Sequence, residues 1–362
     1  MFSGSYLEDD VEILLKVIDI DFTSIEEKEN LIQSGKSHYS EMINQEYVPT
    51  QTYLNVFKQV YELNKTRFAN DILTLAYNLN KKDNIILVSL VRAGTPIGVL
   101  LKRVLKNIFN RRVKHYSISI IRDREIDNVA LSYILEKHPT SEVIFIDGWT
   151  GKGVIHRELK KFISKFNRQN NTKVNDDLYV ISDIAGVSDF SVNNDDYLIP
   201  SSALNSTISG LVSRSILNEK YINEGDFHGC KYYPEYINSD LSLWFVDEIM
   251  KIIKHLEINK KNLVSKNSEL NKKTNEFIQK IMKDYGINDI NHIKPGIGES
   301  TRVLLRRMPY LVIVKDMYAK ELEHIIHLAQ ERNVKIIVEK DLPYSVLTII
   351  KNVITNKDWN AK

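Results

Sequence analysis

The chain has 362 residues, 27% of them charged and 43% apolar. That is ordinary globular composition, which excludes a wholly disordered protein and leaves room for about two domains of ~150 residues. A net charge of +2 is too small to mark a nucleic-acid binder globally, so any such role must come from a local patch. The lone cysteine, Cys230, excludes an intramolecular disulfide and multi-thiolate metal sites, and points to a reducing compartment. Apolar runs such as Ile85–Val91 fall far short of the ~20 residues of a membrane helix. The opening Met1-Phe2-Ser3-Gly4-Ser5 has no basic or apolar region of an export signal. A soluble, cytoplasmic protein with no membrane partner is expected.

In chain order, Ile85–Val91 reads as a strand covered on both faces, hence part of a parallel sheet. Arg92-Ala93-Gly94-Thr95-Pro96 follows it, then a helix over Ile97–Ile108. The same order recurs as strand Val143–Ile146, turn Asp147–Gly153 and helix Val154–Phe166, with Leu178–Ile181 as a further strand. Strand, glycine turn and helix, met twice, predict a doubly wound α/β domain over residues 1–250. Residues 251–288 carry nine lysines between Lys251 and Lys283 and read as a charged helical linker. From 289 to 362 the pattern predicts a small α-β-α sandwich: a loop and helix over Pro295–Arg307, strand Tyr310–Val314, helix Ala319–Asn333, strand Lys335–Val338 and a last helix Ser345–Asn352.

Three clusters stand at carboxyl ends of predicted strands, where open parallel sheets bind ligands and helix N-termini attract anions. The first is Asp147-Gly148-Trp149-Thr150-Gly151-Lys152-Gly153. Its glycines let backbone wrap a phosphate, Thr150 and Lys152 add a donor and a charge, and Asp147 can accept bonds from sugar hydroxyls. It is neither a Walker loop nor Gly-x-Gly-x-x-Gly. The second is Arg92, Ala93, Gly94 and Thr95, whose arginine needs an anion or a carboxylate such as Asp123 or Asp127. The third is Arg122-Asp123-Arg124-Glu125-Ile126-Asp127, with Arg122 and Arg124 for phosphates and Asp127 for a metal or base. For each, a structural turn or a salt-bridged surface is the alternative.

The hydroxyl-rich stretch Leu198–Arg214 reads as helix-prone. Asn205, Ser206, Ser209 and Arg214, with Asp226 and His228 further on, are acceptor-binding candidates, with a polar packing surface as the alternative for the stretch. Downstream, Asp226-Phe227-His228-Gly229-Cys230 sets an acid, an imidazole and the only thiol together. Residues two apart on a strand share a face, so His228 and Cys230 are a candidate nucleophile pair, against a structural role for both.

The Asp147–Gly153 run resembles the phosphoribosyl-pyrophosphate (PRPP) loop of phosphoribosyltransferases, with Gly148 in place of a second acid. Phe2–Tyr6, His38–Met42, Arg92–Pro96, Asp147–Gly153, Leu204–Thr207, Ser209–Arg214 and Asp226–Gly229 together resemble the StiP family. These are bacterial proteins of tellurite-resistance stress operons, described both as cysteine proteases and as phosphoribosyltransferase-like enzymes. In the family pattern a cysteine precedes Leu-Asn-Ser-Thr, where this chain has Ala203. The resemblance implies a phosphoribosyltransferase-like sheet and a PRPP-binding enzyme using Mg²⁺ and no organic cofactor. Catalysis would fall to Asp147, Arg122 and Asp127. A StiP-type cysteine peptidase and a non-catalytic nucleotide- or RNA-sensing protein are the alternatives. Gly296-Ile297-Gly298-Glu299-Ser300-Thr301-Arg302 resembles the Gly-x-Asn-Glu-x-x-Lys signature of Pelota and L7Ae-type RNA-binding domains, with Gly298 replacing the asparagine. That resemblance implies RNA contacts from Gly296, Gly298, Glu299, Arg302, Arg306 and Arg307.

Overall fold

The computed structural model describes residues 2–351. Its larger sheet runs in the order β1 (Glu12–Ile13), β4 (Lys114–Ile118), β3 (Ile85–Leu90), β7 (Glu142–Thr150), β8 (Leu178–Asp183), β9 (Phe190–Asn193) and β11 (Val264–Ser265). All neighbours pair parallel except β11, which closes the edge antiparallel to β9. Every residue of β3 and β8 is buried, as expected where helices cover both faces. Ile85, Leu87, Ile144 and Ile146 face one core with α2 (Gln51–Leu79), α3 (Thr95–Asn107) and α6 (Ser242–Ile253). Ile86, Val88, Leu90 and Phe145 face the opposite core with α4 (Asn128–Lys137) and α5 (Val154–Asn170). The period-2 alternation of strand side chains divides the cores. Two short ribbons, β2 (Lys16–Val17) with β10 (Gly229–Cys230) and β5 (Ile120–Ile121) with β6 (Glu125–Ile126), trim this unit.

The smaller sheet runs β12 (Ile293–Pro295), β15 (Val346–Ile350), β13 (Pro309–Val314), β14 (Lys335–Val338). One face carries α7 (Ser268–Tyr285) through Phe277, Ile278 and Ile281. The other carries α8 (Ile297–Arg306) and α9 (Glu323–Glu331) through Leu304, Ile325 and Leu328. Ile297 and Leu304 also belong to the core cluster that holds Leu198, Ala203 and Leu204, so α8 is the joint between the two sheets.

Two expected helices are absent. Leu198–Arg214 forms two 3-10 turns, Pro200–Ala203 and Ser206–Ile208, because Pro200 fixes the start and Gly210 and Leu211 adopt positive φ. The segment from Ser345 is instead strand β15, whose Val, Thr and Ile side chains fill the sheet between β12 and β13; its predicted end, Asn352, lies outside the described residues. Mixed α/β architecture with a large, parallel-rich sheet is thus the class observed. No helix among the described residues is long and apolar enough to cross a membrane.

Candidate functional site

The chain leaves β3 through α3 to β4 on one side, and leaves β7 through α5 to β8 on the other. The β3/β7 boundary is therefore the topological switch point, where such sheets bind ligands. Arg92–Thr95 and Thr150–Gly153 flank it. Gly153 is obligatory: its φ is +68° and a Cβ there would lie 2.6 Å from Val187 Cγ2. Thr150 Oγ1 accepts the Gly153 N–H at 3.0 Å and fixes the turn.

A cleft of about 1130 Å³ opens from this point. The strand-end loops form its floor, α8 with residues 288–295 forms one wall, and α1 (Ile25–Gln33) with residues 43–50 forms the other. Its lining carries nine Lys or Arg and five Asp or Glu, with the rings of Tyr39, Tyr47, Tyr53 and Trp149 between them. Of the residues singled out in the sequence, the cleft gathers Arg92, Ala93, Arg122, Asp147, Thr150, Gly151, Lys152, Gly153, Asn205, Arg214, Glu299, Arg302, Arg306 and Arg307.

Most of its charges have assigned partners. Arg92 meets neither Asp123 nor Asp127. It donates to Glu46 Oε1 at 2.7 Å, to the Val212 carbonyl at 3.2 Å and to Asn205 Oδ1 at 2.5 Å. That arginine and the Ser206 N–H hold the buried Glu46 carboxyl below its ordinary value despite desolvation. Arg122 reaches Asp123 and Asn291 and stands over the Tyr39 ring. Lys152 is not a free phosphate ligand: its ammonium donates to the carbonyls of Ile290 and Ile293, both at 2.8 Å, and burial pushes it down to about 7. Asp147 accepts the Gly148 N–H at 2.7 Å, and burial raises it to about 6. Arg214 donates to the carbonyls of Tyr39 and Met42.

On α8 the spacing of Glu299, Arg302 and Arg306 sets them on one face, and that face looks into the cleft. Arg302 stands 4.9 Å over the Trp149 ring. The Nε atoms of Arg302 and Arg306 are buried with no acceptor among the described residues. Burial, with Arg302 and Arg92 nearby, pushes Arg306 down to about 10. Arg307 pairs with Glu29 at 2.5 Å. Gly298 is explained by the docking of α8: a Cβ there would lie 3.1 Å from Trp149 Cε2, so the indole occupies the space an asparagine needs. Gly296 lies against Asp196, whose carboxylate accepts the N–H groups of Ile297 and Ser345 at 2.8 and 2.9 Å.

The remaining candidates lie elsewhere. Gly94 packs against the Ile146 carbonyl and Thr95 is buried against Ser117. Gly148 packs near Ile97 and Ile199. Arg124 pairs with Glu41, Ser206 is buried, and Ser209 bonds the Asn205 carbonyl. Asp127 is no open base: it caps α4 at 2.9 Å from Ala130 N and accepts the His228 N–H at 2.6 Å. Asp226 pairs with Lys16. His228 turns Nδ1 to Ser119 Oγ at 2.8 Å and Nε2 to Glu125 at 3.6 Å. Ser119 is fully buried, so no substrate reaches this hydroxyl–imidazole–carboxylate chain. Cys230 is fully buried too, and desolvation alone pushes its thiol up to about 12. Among the described residues, no three His, Cys, Asp or Glu are gathered as a metal needs. Glu46, Glu29 and Lys294 line the cleft without a sequence signal, since a loop, a mostly exposed helix and the short strand β12 carry them and each acts across the fold.

Residues 4–250 match the family described as tellurite-like stress resistance cysteine protease StiP, and residues 272–352 match the PELOTA RNA binding domain. The chain is 38% identical over 368 residues to the cysteine protease StiP of Acinetobacter baylyi (strain ATCC 33305 / BD413 / ADP1), covering 97% of this chain and 95% of that protein. These matches overturn the expected phosphoribosyltransferase-like enzyme and its PRPP substrate: both names are of a cysteine protease, and neither speaks of a ribosyl transfer. The Mg²⁺ expected alongside PRPP has no ground without it. The resemblances to StiP and to the Pelota domain stand, and with them the conclusion that the chain belongs to the StiP family and carries a C-terminal Pelota RNA-binding domain.

Proposed function

We propose that this StiP-family chain serves stress resistance by holding a single-stranded RNA segment in the cleft between its two sheets. The observation that carries this reading is the orientation of α8. The helix within the Pelota match walls a cleft whose lining carries both arginines and aromatic rings. Cations track a phosphate backbone, and rings stack unpaired bases regardless of sequence. Anisotropy of a labelled single-stranded oligouridylate, titrated at rising salt, is the test. Binding at low salt that weakens steeply with salt, and weakens about tenfold or more on joint Arg302→Ala and Arg306→Ala substitution, is expected. No binding at low salt, or binding indifferent to both substitutions, would overturn it.

Peptide cleavage by a thiol is the second reading, favoured by the family description and the relative's name. In this chain it falls to Cys230, the only thiol, or to nothing. Attack requires the thiolate, and a buried thiol near 12 supplies almost none at neutral pH. Cleavage of a casein-type substrate by the purified chain, abolished by Cys230→Ser, would establish that reading. The burial of Cys230 supports the opposite expectation.

A further inference from the structure

Helix α1 forms one wall of the cleft, yet the one buried residue in its nine is Glu29. A surface helix is normally held by an apolar stripe set into a core. Here Ile25 is half exposed, and Ile25 and Ile32 look into the cleft rather than into packed side chains. Polar contacts hold the helix instead. Glu29 Oε1 receives Arg307 Nη2 at 2.5 Å from the far wall, and Lys28 Nζ donates to Asn44 Oδ1 at 2.6 Å. The ends of the segment are fixed. Before α1, the Thr23 N–H donates to the Ile43 carbonyl and Asn44 Nδ2 to the Thr23 carbonyl, both at 2.8 Å. After it, His38 and Glu41 form a capping box. Between helix and box, Gly35 has φ +70° and open space around it, the kind of position that absorbs a hinge rotation.

We propose that α1 is a hinged flap over the cleft, latched by the Glu29–Arg307 ion pair and released when an anionic ligand takes Arg307. A phosphate beside Arg307 supplies the charge that Glu29 supplies now. It also faces the Glu29 carboxylate with a like charge, so the same event that satisfies Arg307 pushes α1 outward. Only the identity of the anion rests on the RNA reading; the latch belongs to the protein alone.

Hydrogen–deuterium exchange of the full chain separates the two. Without ligand, Glu29→Gln raises exchange over residues 25–33 about fivefold, the worth of one partly buried ion pair. Arg307→Gln raises it equally, and the double variant goes no further than either single one. Residues 51–79 of α2 stay as protected as before. Oligouridylate added to the wild type raises exchange over the same 25–33 segment. Unchanged exchange in both single variants would overturn the latch, as would a rise spread over the whole larger sheet, which reports unfolding instead. Responsive latch variants with a wild-type segment indifferent to oligouridylate would overturn the release by RNA, and anisotropy then tells whether the RNA reading fails with it.

Discussion

Gly298 shows how a single residue reports a domain contact. In sequence it reads as the loss of a signature asparagine; in the fold it lets α8 lie close against Trp149, since a Cβ would stand 3.1 Å from the indole. Gly298→Asn restores the signature and forces the indole aside, at a cost of about 1–3 kcal/mol read as a lower denaturant midpoint. Combined with Trp149→Ala, it costs less than the two single losses together, because the clash has gone. Cys230 makes the opposite case, a suggestive residue with a structural role. Its thiol in the native protein resists an aromatic disulfide reagent and reacts only as the chain unfolds; rapid labelling of the folded protein would contradict its burial. Arg92 was legible as a charge needing a partner, since an arginine after an apolar strand cannot stay unpaired. Its partner Glu46 was not, because nothing local ties a loop glutamate to a strand end 46 residues away.

At the scale of elements, what could be read is what local physics dictates. The strands β3, β7 and β8 announce themselves as short apolar runs, and the turns after β3 and β7 by their glycines and the charges beside them. The structure sets those two turns side by side at the switch point, so their common placement was readable before any coordinates. The 198–214 stretch reads as helix-prone in sequence, but Pro200 and the positive φ at Gly210 and Leu211 break it into tight turns, in keeping with serines that are poor helix fillers. β15 was misread for the opposite reason. Its five buried residues form a short apolar run, and such a run does not by itself distinguish a central strand from a buried helix. The role of α8 as a wall facing inward had no local signal at all, since it depends on how the two sheets dock.

For the whole molecule, docking buries charge and so couples stability to pH. Burial raises Asp147 and Asp196 to about 6. The folded state keeps their protons where the unfolded chain releases them, so their stabilising contribution is present below about 4 and is lost as pH rises through 6. Burial lowers His115 to about 3 and His324 to about 4. There the unfolded chain takes up protons first, so stability from the histidines grows as pH rises through 6.5. The two effects oppose each other over the same range. Wild-type unfolding midpoints are therefore expected to change little between pH 4.5 and 6.5, while Asp196→Asn unmasks a rise with pH. A variant profile parallel to that of the wild type would show that Asp196 does not carry the compensation.

An RNA held between the two sheets touches both. Photo-crosslinking places it directly: a single-stranded oligouridylate bearing 4-thiouridine is irradiated on the full chain, and the attached peptides are identified by mass spectrometry. Attachment to residues 147–155 of the larger unit and to residues 297–306 of α8 in the same sample is the expected result. Attachment confined to surfaces outside the cleft, or none above background, would contradict it.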